Sequence, residues 1–119
     1  MNPRRIVLAL LVLFALAVGG IGLAVVLNPE PPPREVSYVI PAGTIGRLRA
    51  GQVVEVLPGR IELRTVDTLV IENQDVEPFS LGAFVIRAGE TFRHRYSRVG
   101  TYGEACNLHP SGKIDIVVT

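Results

Sequence analysis

The chain has 119 residues, 48% of them hydrophobic, with 12 basic and 11 acidic side chains and one cysteine. That length holds one domain of ordinary size. The near-balanced charge leaves no basic stripe for nucleic acid and no acidic block for disorder, and a single cysteine excludes an internal disulfide, a zinc ribbon or a binuclear copper centre.

The hydrophobic residues are unevenly spread, so the chain divides into segments. Residues 1–5 are a short N-terminus carrying Arg4 and Arg5. Residues 6–27 contain no charge, and as a helix rising about 1.5 Å per residue they cross a hydrocarbon core of about 30 Å. Two readings stay open. Ala15-Leu16-Ala17 offers small residues for signal-peptide cleavage, whereas the apolar run continues to Leu27, which suits a retained signal anchor. Both readings export the C-terminal remainder of the chain, because Arg4 and Arg5 are held on the cytoplasmic side. The expectation is a single-pass protein of the cell membrane, in contact with the lipid bilayer, with its domain on the extracytoplasmic (periplasmic or outer) face. Ala15, Gly19, Gly20 and Ala24 put small residues at near-helical spacing, which allows close helix contacts in lipid and is also ordinary in membrane helices. Residues 28–35, Asn-Pro-Glu-Pro-Pro-Pro-Arg-Glu, stop the helix and form a stiff polyproline-like linker.

Residues 36–119 remain for one extracytoplasmic domain, with nine basic and nine acidic side chains. Its pattern is all-β. Tyr38-Val39-Ile40 opens a strand that Pro41-Ala42-Gly43 ends, and Thr44 caps a short helical turn closed by Gly51. Residues 53–57, 61–64 and 68–72 carry strand patterns. Residues 79–86 form a strand broken at Gly82, and residues 87–90 turn. In residues 91–96 Phe92, His94 and Tyr96 share one face while Arg93 and Arg95 share the other. Thr101-Tyr102 and residues 113–118 supply the closing strands. Seven or eight short strands with almost no helix predict a sandwich or barrel.

The most informative stretch is Gly100-Thr-Tyr-Gly-Glu-Ala-Cys106-Asn-Leu-His109-Pro. It resembles the last motif of the cupredoxins, Gly-x-Tyr-x-x-x-Cys-x-x-His-Pro before the closing strand. Asn73-Gln-Asp75-Val-Glu-Pro78-Phe79 resembles the same family's Asn-x-Asp-x-x-x-His loop, with Phe79 where the first histidine ligand belongs. The resemblance covers roughly residues 63–119 well and residues 36–60 poorly. It implies a Greek-key β-sandwich or barrel. It also implies a copper site with Cys106 as thiolate ligand, His109 as imidazole ligand and Phe79 in place of the other imidazole. A blue-copper centre uses two imidazoles and a thiolate in a plane, with a weak axial partner. The only methionine is Met1, so no axial methionine follows His109. Copper is the expected cofactor, held weakly or incompletely.

Few other side chains could supply a donor. His94, the only other histidine, sits mid-strand and reads as a half-buried side chain held by one hydrogen bond. Glu104 alternates onto the face of Cys106 and offers an oxygen, though a solvated carboxylate is the plainer reading. Asp75 and Glu77 read as exposed loop acids. A lone thiol in an oxidising compartment is ligated, buried as a relic, or used in redox chemistry. No hydrolase elbow or phosphate loop appears, so an enzyme is not expected. Two functions fit these residues. One is a membrane-tethered copper or electron carrier working through Cys106 and His109 beside a membrane redox complex. The other is a metal-free accessory subunit of a respiratory or photosynthetic-type membrane complex, with Phe79 filling the site and contributing an apolar surface near Gly82-Ala83-Phe84.

Overall fold

A computed structural model describes residues 2–27 and 29–119, and two compact units emerge, residues 1–32 and 33–119. The first is helix α1, Pro3–Leu27. Its Arg4 and Arg5 lie at the N-terminal end, and its apolar residues from Ile6 to Val18 are exposed. By length and composition it is able to cross a membrane.

The second unit contains eight strands: β1 Glu35–Ile40, β2 Arg60–Leu63, β3 Thr68–Asn73, β4 Phe79–Leu81, β5 Phe84–Ile86, β6 Thr91–His94, β7 Gly100–Ala105 and β8 Lys113–Val118, with helix α2, Thr44–Arg49, after β1. One sheet runs β1-β3-β6 and a second runs β2-β8-β7, while β4 and β5 form a hairpin. β1 lies parallel to β3, with Glu35 opposite Thr68 and Ile40 opposite Asn73. β6 completes that sheet antiparallel to β3, pairing Leu69 with His94. In the other sheet β2 is parallel and β7 antiparallel to β8, so Ile116 stands between Ile61 and Tyr102.

The alternating patterns decide which side of each strand is buried. In β8 Ile114, Ile116 and Val118 are buried while Lys113, Asp115 and Val117 are not. Their inward faces meet those of Ile40, Leu69, Ile71, Ile61 and Leu63 from both sheets to make one core, closed at one end by Phe79, Leu81, Ile86 and Leu108. Each such side chain, fully removed from water, contributes about 1.5–3 kcal/mol.

Two expectations from the sequence change. Residues 52–56 join no strand. They lie between Gly51 and Pro58 with Val53 85% exposed, while Val56 packs against the core and the following Leu57 enters it. An apolar run is not a strand without a partner edge for its N–H and C=O groups. Thr44 also does not cap α2. Gly43, in the left-handed region at φ 82°, is the N-cap residue and supplies no side chain, and the hydroxyl of Thr44 turns back to donate to the Pro41 carbonyl at 2.7 Å.

The start of the domain is clamped by one carboxylate. Asp67, fully buried, accepts from the backbone N–H of Arg34 at 3.1 Å and of Arg64 at 2.9 Å, and pairs with both guanidinium groups. The Arg64 hydrogen bond is the largest of the effects that hold this carboxyl well below the usual carboxylate range.

Candidate functional site

The loop after β3 is organised by Asn73 and Asp75. Asn73 is buried, and its amide nitrogen donates to the carbonyls of Glu77 (2.9 Å), Ile86 (3.2 Å) and Arg87 (3.0 Å). Its side-chain oxygen accepts the Asp75 N–H at 3.0 Å. Asp75 is only 3% exposed and does the work that Thr44 does not. Its carboxylate accepts the Ile45 N–H at the start of α2 at 2.9 Å, and the Val76 N–H at 2.7 Å. The Ile45 bond leads in holding its pKa down against the opposing effect of burial. Glu77 pairs with Arg49. The expectation of exposed loop acids therefore fails for Asp75. These groups tie three segments together, and the Asn-x-Asp spacing fits because the side chain of the first residue caps the turn that presents the second.

That knot fixes Phe79 at the first residue of β4, where it pairs with Ile86 and is 1% exposed. The position expected for the missing imidazole is thus a core position, and Phe79 is not available as a contact surface. Cys106, immediately after β7, is likewise 1% exposed. Its N–H donates to the Gly112 carbonyl at 2.9 Å, and it bridges antiparallel to Leu81, so this loop is bound to the β4–β5 hairpin.

His109 lies partly exposed on the same loop. Its Nδ1 is 2.7 Å from Ser111 Oγ and accepts the Ser111 N–H at 3.2 Å. The Ser111 hydroxyl in turn donates to the Lys113 carbonyl at 2.8 Å. The Nε2 edge faces Gly59, 3.4 Å from where a Cβ on that glycine would stand. Neither Ser111 nor Gly59 stands out in the sequence. The position of Ser111, two residues past His109, is the local signal, whereas Gly59 is brought in by the β2–β8 pairing.

His94 is half-buried as expected, but ring packing rather than a single hydrogen bond accounts for its setting. Its ring centroid is 5.0 Å from Phe84, 5.9 Å from Phe92 and 4.6 Å from Tyr96. Tyr96 continues the ladder to Tyr102 at 4.8 Å. These rings come from β5, from β6 and its extension, and from β7. They form one aromatic seam linking side chains of these strands. Glu104 enters the same seam from β7, on the face of Tyr102 and Cys106.

Among the described residues, no group of three or more His, Cys, Asp or Glu side chains is placed to hold a metal. A plane of two imidazoles and a thiolate does not fit this donor set. Phe79 has no donor atom, His94 is committed to the aromatic ladder, and the His109 Nδ1 is engaged by Ser111.

No family model matches the sequence, and no curated protein matches it. Solved structures do. A purple cupredoxin from Nitrosopumilus maritimus aligns with a TM-score of 0.50 at 19% identity, over 71% of this chain and 99% of that one. A reduced variant of amicyanin aligns at a TM-score of 0.49 and 13% identity, over 76% of this chain and 87% of that one. With two facing sheets, the Asn73 loop and the Cys106 loop in place, the domain formed by residues 33–119 has the cupredoxin fold.

Proposed function

We propose that this chain is a non-enzymatic, membrane-tethered cupredoxin-fold module that docks onto a membrane protein complex on the extracytoplasmic face. Residues 6–27 serve as the anchor and residues 28–35 as the spacer. The observation that carries the reading is Phe79, 1% exposed. A phenyl ring packed into the core where the resemblance expects an imidazole leaves a domain stabilised by side-chain packing instead of by a metal.

A second reading keeps copper, on one observation. Cys106 and His109 are both retained on one loop, which the Cys106–Gly112 backbone bond and the Leu81–Cys106 bridge hold in place. A thiolate and an imidazole favour Cu(I) among available metals, so this reading makes the chain a weak copper handler.

Metal content separates the two. The full chain in detergent is loaded anaerobically with Cu(I), desalted and assayed for copper. The docking reading expects none retained. One equivalent retained by the wild type and lost in Cys106→Ala overturns it in favour of copper handling. Alkaline carbonate extraction of native membranes checks the anchor: the chain remains in the pellet if residues 6–27 span the bilayer and enters the supernatant if they do not.

A further inference from the structure

Residues 109–112, His-Pro-Ser-Gly, form a turn that folds back onto its own first side chain. The Gly112 N–H donates to the His109 carbonyl at 2.8 Å, and proline second with glycine fourth is the order such four-residue turns favour. The third residue, Ser111, is thereby brought beside the imidazole. Its N–H donates to His109 Nδ1 at 3.2 Å, and its Oγ lies 2.7 Å from the same nitrogen. The side chain of the first residue thus accepts the N–H of the third, an arrangement that Asn and Asp side chains make in turns. Oγ is itself fixed to the closing strand, donating to the Lys113 carbonyl at 2.8 Å and accepting the Lys113 N–H at 3.4 Å.

The other edge of the ring is held as well. A Cβ on Gly59 would stand 3.4 Å from Nε2 and 3.5 Å from Cε1, so the imidazole edge packs against a residue without a side chain. The Gly59 carbonyl accepts the Asp115 N–H at 2.9 Å, which ties it to β8 as Lys113 ties Ser111. A metal bonds an imidazole nitrogen at about 2 Å, and the approach to Nδ1 is taken up by the Oγ and N of Ser111. The start of the loop is closed in the same way. The Cys106 N–H donates to the Gly112 carbonyl at 2.9 Å, and the Asn107 side-chain oxygen accepts the Ser80 N–H at 3.0 Å. The misfit between this donor set and a metal plane therefore has a second cause besides Phe79. We propose that Ser111 is a positioning residue: it latches His109 through Nδ1, keeps that nitrogen from metal ions, and closes residues 106–112 with hydrogen bonds in place of a ligated ion. The proposal rests on the metal-free reading, and the two fail separately: copper retention by the wild type overturns that reading, whereas the latch stands or falls on the His109 ring.

The chain has two histidines, so histidine labelled at its ring nitrogens gives two sets of NMR resonances, with His94 as the internal control. The untagged full chain in detergent is compared as wild type, Ser111→Ala and Ser111→Thr, before and after addition of Ni(II). That ion suits imidazole, and its paramagnetism broadens the nitrogen it binds. Alanine keeps the backbone N–H and removes the Oγ contact together with the bond to Lys113, whereas threonine keeps the hydroxyl. A hydrogen bond of ordinary net strength shifts an equilibrium about two- to tenfold. Ser111→Ala is therefore expected to move the His109 Nδ1 resonance, leave His94 in place, and broaden His109 at about tenfold lower Ni(II) than wild type. Ser111→Thr is expected to match the wild type. An unmoved Nδ1 resonance in Ser111→Ala, or His109 broadening at the same Ni(II) in both proteins, overturns the proposal, as does Ser111→Thr behaving like Ser111→Ala. Hydrogen exchange reads the latch without altering Ser111 and guards against a folding defect in its variants. The Ser111 N–H should exchange slowly in the wild type and faster in His109→Ala, and equal rates overturn the latch.

Discussion

Replacing Phe79 by histidine restores a donor at a position that is now core, and stability and metal binding then pull in opposite directions. Phe79 is 1% exposed. Removing a buried phenyl and burying a polar imidazole with no arranged partner costs about 3 kcal/mol. For a domain the size of residues 33–119, each kcal/mol moves Tm by about 4–8 °C, so metal-free Phe79→His melts about 12–24 °C below wild type. Copper at a thousandfold excess over its Kd returns about 4 kcal/mol, which exceeds the loss. The loaded variant is expected to recover the wild-type Tm or pass it, with an intense visible thiolate-to-copper band, while the wild type gains neither. Thermal melts of both proteins with and without Cu(II), followed by circular dichroism and visible absorption, make the measurement. A destabilised variant whose Tm ignores copper and which stays colourless refutes the reasoning. It would mean that the Asn73 and Cys106 loops do not bring position 79 within coordinating reach of the thiolate and His109.

The same contacts set other outcomes. Asn73→Ala orphans the carbonyls of Glu77, Ile86 and Arg87 together with the Asp75 N–H. It should cost about 3 kcal/mol in urea unfolding, and a loss below about 1 kcal/mol would show that water satisfies that knot. Tyr96→Phe removes a buried hydroxyl without a partner, so it should leave Tm unchanged or raise it. The same residue shapes the alkaline limb. Its folded pKa of about 12 lies above the unfolded value near 10, so its contribution is fully present below about pH 10 and is lost as pH climbs toward 12. Tyr96→Phe should flatten the fall in stability over that interval. At the acid end Asp67 and Asp75 both have lowered pKa values. Their contribution is present above about pH 4, the unfolded value, and is lost as pH falls below it. Stability should therefore show no transition from these groups between about pH 5 and 8, and Asp67→Asn should blunt the acid-side loss.

Local chemistry made much of this protein legible from its sequence. A charge-free run followed by clustered prolines delimits a helix and its end, and period-two alternation marks strands such as β8 because burial of one sheet face selects for it. The Cys106 and Asn73 motifs identified the fold, since each is a short loop whose side chains satisfy its own backbone. The three-dimensional arrangement decided the rest. Whether residues 52–56 form a strand depends on a partner edge that their own apolar pattern does not reveal. The role of Asp75 depends on Ile45, which lies 30 residues earlier in the chain and is brought beside it only when β1 pairs with β3. Phe79 is legible as a lost ligand, but its service as a core side chain is visible only once both sheets close over it. The same holds for the aromatic seam, where Phe84, His94, Tyr96 and Tyr102 come from β5, from β6 and the segment after it, and from β7. Their meeting depends on sheet pairing, a long-range property that no window of neighbouring residues contains.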